Sequence, residues 1–310
     1  MPEWLVERGI GETRWVLVEG SEIIEARVVV DGPVQAGMVL EARLKSVGPN
    51  AIATAEGVEF LLPKGAAGIA EGAKVMIEVT REAIGTERWK RPLARVSNPD
   101  RAQAPTIGAH NLLFPATADA LEDAGWSALL DEARSGIVTF AGGELRIVVT
   151  PAMTLIDVDG LLPPTDLAVA GARASAKAIR RHGIGGSIGI DLPTIGGKIA
   201  RQAAAGAIDE NLAPPFERTA VNGFGFLQIV RPRRHASLFE LALDGAAFEA
   251  RALLRQTARE TGRIELVAHP SVIAAFQSGW TDQLARQVGG TVSLRNDPRL
   301  GIAAGYAVRA

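Results

Sequence analysis

The sequence predicts a multi-unit α/β protein, and three observations carry that reading. The chain has 310 residues, 47% of them hydrophobic. At ~100–200 residues per domain, that supports two or three structural units with a sizeable core. From about residue 37 to 97, short strand-like runs alternate with Gly and Pro, as in a small closed β-barrel. Beyond residue 113, apolar strands alternate with Ala-rich helical stretches, the rhythm of an α/β layer.

The elements follow in chain order. Residues 14–30 (RWVLVEGSEIIEARVVV) hold two β-branched runs around Glu19-Gly20-Ser21 and read as a hairpin. The runs MVLEARLKSV, AIATAEGVEFLLP, AKVMIEVTRE and PLARVS supply the four or five strands of the barrel. Pro and polar residues crowd Asn98–Gly108, which reads as linker. ALEDAGWSALLDEA places Leu121, Trp126, Leu129 and Leu130 at helical spacing. ELRIVVT and TLIDV are strands. Thr165 is placed to cap a helix over 166–182, with Asp166 in its first turn and Arg180, Arg181 and His182 in its last. Gly183 suits its C-terminus. GGSIGID is a buried strand, and a second Ala-rich helix covers 197–208. TAVNGFGFLQIVRPRR is a strand with a basic exit, and residues 240–310 read as a compact α+β unit. The expected organisation is a first hairpin at 1–34, a barrel at 35–97, a linker at 98–112, an α/β core at 113–238 and a small α+β unit at 239–310.

Composition narrows the function. The net charge is −2 and the pI is near 6.2. A uniformly basic nucleic-acid coat is thereby excluded, and phosphate contacts must come from local patches. The chain has no Cys, which removes disulfides, thiolate zinc sites and cysteine nucleophiles. No apolar run reaches the ~18 residues of a membrane span, and MPEWLVERGIGETR carries acids where a signal peptide needs an apolar stretch. The expectation is a cytoplasmic protein with no membrane partner.

Carboxylates carry the strongest chemical signal. Asp157 and Asp159 close TLIDVDG, and Asp191 closes GSIGID. Open α/β sheets place their sites at the carboxyl ends of strands. If the two strands are neighbours, Asp157 and Asp191 meet there, and like charges raise each other's pKa unless a cation intervenes. Mg²⁺ or Mn²⁺ with oxygen ligands suits such a pair. An Asp ending a strand is also a common turn former or N-cap, and both readings stay open at this level. Arg231, Arg233, Arg234 and His235 follow a strand, while Arg88, Lys90 and Arg91 surround Trp89 in the barrel. Aromatic and basic residues interleaved on a small barrel suit single-stranded nucleic acid, although for either cluster alone a solvated face is the better reading. The four histidines show no ligand spacing, and neither a GxSxG elbow nor a P-loop is present.

Five segments together resemble the ribonuclease E/G family: ETRWVLVEGSEIIEARV, KVMIEVTREAIGTERWKRPLARV, TLIDVDG, GIGGSIGID and FGFLQIVRPR, in the family's order. The resemblance implies an S1/OB-like barrel inserted in an RNase H-like or DNase I-like catalytic core. It implies an endoribonuclease that cuts single-stranded RNA with Mg²⁺, leaving 5′-phosphate and 3′-hydroxyl ends. Its metal-binding acids fall on Asp157 and Asp191, with Asp159 beside them as a third ligand. Its RNA-gripping barrel residues match Phe60 and Lys90, and Arg231 or Arg233 would neutralise the phosphate. Two positions depart from the family: its Asn is Asp159 here, and a further acid is Thr194. With no Cys, the family's zinc link cannot form, and residues 98–125 are too few for its 5′-end sensor. A homo-oligomer would need another surface. Two rivals remain: an RNA-binding protein of the same family that has lost cleavage, and a phosphohydrolase using Asp157 of the DxDG stretch as nucleophile with Asp159 as acid.

Overall fold

The computed structural model describes residues 1–32, 34–85, 90–98, 108–115 and 118–309. In chain order it contains β1 (Glu3–Arg8), β2 (Glu12–Glu19), β3 (Glu22–Val30), β4 (Val39–Ser46), β5 (Ala51–Ala55), β6 (Val58–Leu62), β7 (Lys74–Arg81), β8 (Leu93–Val96) and β9 (Ala109–Leu112). There follow α1 (Ala120–Asp123), α2 (Trp126–Ser135), β10 (Ile137–Phe140), β11 (Gly143–Val149), β12 (Thr154–Gly160), α3 (Pro164–Arg181), β13 (Gly186–Asp191), α4 (Lys198–Asn211), β14 (Glu217–Arg218) and β15 (Phe226–Arg231). The chain closes with α5 (Leu238–Ala242), α6 (Gly245–Thr257), β16 (Ile264–Ala268), α7 (Pro270–Ala274), α8 (Trp280–Val288), β17 (Val292–Asn296) and β18 (Tyr306–Arg309).

Two compact units emerge. One comprises residues 32–107 and 232–236; the other comprises 1–31, 108–231 and 237–310. The smaller unit is a closed five-stranded barrel in the order β4-β5-β6-β8-β7. Its centre is filled by Leu44, Phe60, Leu62, Ile77 and small alanines. The segment 232–236 joins it through the Glu82 amide, which donates to the Arg234 carbonyl at 2.8 Å.

The larger unit contains three sheets. The sheet β3-β2-β1-β9 includes the expected hairpin and two strands the sequence did not announce. β9 falls in the stretch read as linker; it is short and polar, and it exists because β1 offers it a parallel edge. The central sheet runs β10-β11-β12-β13-β15-β14. One apolar core joins its inner face to α2, α3, α4, α5 and the inner face of the first hairpin. The C-terminal segment packs its own core of Leu254, Leu266, Trp280 and Leu284 with Ile10 under the sheet β17-β16-β18.

Local chemistry explains most element ends. Gly125, at φ +93°, splits the stretch expected to be one helix into α1 and α2. α3 starts at Pro164 after Pro163 rather than under a Thr165 cap, since proline is pre-set for a first helical turn. Its end follows expectation. Gly183 is left-handed, its N–H reaches the Arg180 carbonyl, and the Ile184 N–H reaches Ile179, a Schellman closure. α3 lies close on the sheet because Gly171 has no side chain: a Cβ there would stand 2.3 Å from Val158 Cγ1. Gly171→Val is therefore expected to cost about 1–3 kcal/mol through overpacking, read as a lower urea midpoint. An unchanged midpoint would show that the helix can shift away from β12.

Candidate active site

β12 shows the period-two pattern of a half-covered strand. Ile156 and Val158 are buried while Leu155, Asp157 and Asp159 face outward. β13 is its parallel neighbour, and Asp157 is paired in register with Asp191. Residues paired this way project to the same face. Both acids are exposed, whereas the preceding pair, Ile156 and Ile190, points into the core. Neither carboxylate is held in an ion pair among the described residues, and the Val158 backbone amide is a local partner of Asp157.

The electrostatics match the geometry. Partial burial raises the pKa of Asp157, and the negative charges of Asp159 and Asp191 push it up further. The Val158 backbone amide and Arg146 pull the other way without cancelling the rise. A carboxylate repelled by its neighbours is a ready binder of a cation. Arg146, on β11, is the register partner of Asp157 on its other side. Its guanidinium bonds Glu144 at 2.7 Å and lies 3.7 Å from Asp159. Sequence reading missed Arg146, because its position beside Asp157 depends entirely on the β11–β12 register.

Several expected residues land elsewhere. Asp159 shares the face of Asp157, but it stands opposite Glu144 rather than opposite Asp191. Among the described residues no three His, Cys, Asp or Glu side chains assemble as a metal-binding group. Arg231 stands away from the acid pair. It pairs with Gly186, at the other end of β13 from Asp191. Five residues of strand put them about 16 Å apart, too far to share a phosphate. Arg231 instead bonds the Ile184 carbonyl at 3.3 Å, and burial lowers its pKa. Arg233 belongs to the barrel unit and acts electrostatically on Arg81 and Glu82.

Phe60 requires the clearest correction, since it is fully buried in the barrel core and presents no face to a base. VEFLL is apolar at three consecutive positions, so the sequence could not show which side faces inward. Lys90 is half-buried, and its carbonyl accepts the Ile84 amide. Arg88 and Trp89 lie outside the described residues. Several barrel cations are engaged by acids: Lys45 and Arg91 by Glu59, Lys74 by Glu41, and Arg95 by Glu78. His182 caps α3 and His269 caps α7, which leaves them structural.

Aromatic residues do frame the acid pair, from the other neighbouring strand. Phe226 is the register partner of Asp191, and its ring lies over Gly189, where a Cβ would be 2.6 Å from Phe226 Cζ. Phe224, just before it, is 82% exposed. The donor set of two hard carboxylates fits a small divalent ion that keeps several waters. Among the described residues, no helix is long and apolar enough to cross a membrane. The chain matches no protein-family model and no curated protein.

Proposed function

We propose that the protein is a metal-dependent endoribonuclease acting on single-stranded RNA, similar in kind to the ribonuclease E/G family. One observation carries the reading: Asp157 and Asp191 stand in register on parallel strands, on the open face of the sheet, without a cationic partner of their own. These two residues would hold one Mg²⁺ or Mn²⁺. Bound there, the ion would supply polarisation of a phosphate oxygen and a water of lowered pKa.

The chain's own groups supply the rest. Arg146, beside Asp157, replaces Arg231 and Arg233 as the cation able to take up phosphate charge. Its bond to Glu144 and its approach to Asp159 hold the guanidinium on the face that carries Asp157. Products carry 5′-phosphate and 3′-hydroxyl ends. The barrel's strand order, with β4 closing on β7 and β6 parallel to β8, supports an S1/OB-type module that binds RNA. The core sheet, three antiparallel strands followed by a parallel crossover through α3, supports an RNase H-like or DNase I-like reading.

RNA binding without cleavage is favoured by one specific observation. At the two departures from the family, the side chains are engaged locally: Asp159 lies near Arg146, and the Thr194 hydroxyl donates to the Phe224 carbonyl at 3.1 Å. A single experiment separates the readings. Purified protein is incubated with an unstructured RNA in Mg²⁺, in Mn²⁺ and in EDTA. Cleavage with either metal that stops on chelation is the expected result. Binding with no cleavage under either ion would establish the second reading, and absence of both would remove the RNA assignment.

A further inference from the structure

Beyond the metal pair, the tip of the β14–β15 hairpin has features that the fold itself does not require. Phe224 carries a large apolar ring that is 82% exposed, flanked by Gly223 and Gly225, so neither neighbouring side chain covers it. Its backbone is nevertheless fixed. The Asn222 carboxamide oxygen accepts the amides of Phe224 at 2.9 Å and of Phe226 at 3.0 Å. The Phe224 carbonyl accepts from the Thr194 hydroxyl. Gly225, at φ +96°, lies so close to the strand exit that a Cβ would stand 2.2 Å from the Leu192 carbonyl oxygen. The Leu192 amide in turn donates to the Gly225 carbonyl at 3.3 Å. An exposed ring on a pinned backbone loses little freedom when a flat ligand stacks on it.

Position selects the ligand. Phe226 is paired with Asp191, so at most about 7 Å of backbone separates Phe224 from that pairing. This is the scale of one nucleotide. Asn222 and Thr194, which bond the Phe224 backbone, and Asp191, paired with Phe226, are polar and exposed, which suits a base with a charged backbone better than an apolar protein helix. We propose that Phe224 is a nucleobase-stacking subsite that sets the register of a single strand across the Asp157–Asp191 pair. This rests on the nuclease reading and gives its single-strand preference a physical cause at one residue: inside a duplex, a base has no free face to offer the ring.

The test uses the full chain and a fluorescein-labelled 12-residue single-stranded RNA in Mg²⁺. Base–aromatic stacking strength sets the expectation for Phe224→Ala at about a tenfold rise in KM with kcat within about twofold. Phe224→Trp should keep the wild-type KM, because its ring still stacks. Phe224→Leu should behave like Ala, since it keeps the bulk and loses the π-face. An unchanged KM in Phe224→Ala, or full rescue by Leu, would overturn the subsite. Leu161 and Ile199 are also exposed at this sheet edge, and a protein-docking surface would use them too. Leu161→Ser with Ile199→Ser should leave KM unchanged; a loss equal to that of Phe224→Ala, or a Phe224→Ala effect confined to sedimentation, would assign the tip to protein contact. If the wild type binds without cutting, Kd by anisotropy replaces KM with the same expectations. If the wild type neither binds nor cuts, the nuclease reading fails at that point, before any variant is compared, and the subsite fails with it.

Discussion

Asn at either Asp157 or Asp191 will lower Mg²⁺-dependent RNA cleavage by about 10²–10³-fold or more, on the scale set by losing one preorganised electrostatic group. Asp157→Asn will also be at least as stable as the parent. The reason lies in the sign of the Asp157 shift. A carboxyl whose pKa is raised by folding is harder to ionise in the native state than in the unfolded chain. Its contribution to stability is present at acid pH and is lost as pH rises through the raised native pKa. At neutral pH the charge therefore works against the fold, and an amide relieves it. The pairing of lost activity with a maintained or higher Tm is diagnostic of a site that holds repulsion for function. Full activity in either variant would sink the metal assignment, and a large fall in Tm would mean that the acids are structural.

Glu7→Ala is expected to be the most destabilising single change considered, at about 3–5 kcal/mol, because it strips the partner from buried cations. Glu7 is 1% exposed, and its carboxylate accepts from Arg14 at 2.8 Å, Arg255 at 2.8 Å and Arg259 at 3.2 Å. Arg14, fully buried, also bonds Glu12 at 2.7 Å, and Glu12 receives Arg251 at 2.9 Å. Asp119 closes the cluster on Arg255 and Arg259 at 2.5 and 2.7 Å. Phe114 and Trp126 flank the guanidinium groups. These links tie the first hairpin and α1 to α6 across 248 residues of sequence. Urea denaturation should show a lowered midpoint for Glu7→Ala, while Lys74→Ala, which removes an exposed pair with Glu41, should cost less than about 1 kcal/mol. Equal small effects would mean that burial adds nothing to the network.

The cluster also gives the fold an acid limit. Burial tends to raise the pKa of Asp119, but its bonds to Arg255 and Glu122 and the nearby Arg259 outweigh that and hold it below the ordinary aspartate value. A depressed pKa contributes stability above the unfolded value of about 3.9 that is lost as pH falls toward the native value. Stability below about pH 4 should therefore depend on pH less steeply in Asp119→Asn than in the parent, as read by denaturation at several pH values.

Much of this was visible in local sequence, and what escaped has identifiable causes. Asp157 and Asp191 stood out because an acid after an apolar run breaks the local pattern, although β12 continues past Asp157 to Gly160 and only Asp191 ends its strand. The Gly183 helix end follows from a single residue's conformational freedom. The arginines left a trace that passed unnoticed: Arg251 and Arg255, both buried on α6, and Arg259, just beyond its end, recur every four residues. Their partners Glu7 and Glu12 could not be identified, since nothing local links strands to a helix so distant in the chain. Phe224 was hidden in the same way, because FGFLQIV reads as uninterrupted strand and exposure is a property of what packs nearby.

Strand and helix periodicity, the glycine and proline breaks and the two acids that follow apolar runs belong to the chain alone, because each depends on residues within a turn or two of one another. Pairing and facing do not. The parallel register that sets Asp157 against Asp191, the antiparallel one that carries Arg231 to the far end of the sheet, and the inward turn of Phe60 were all decided by tertiary structure. The physical reason is that a strand presents two faces and two ends, and only the partner it bonds and the core it covers choose among them.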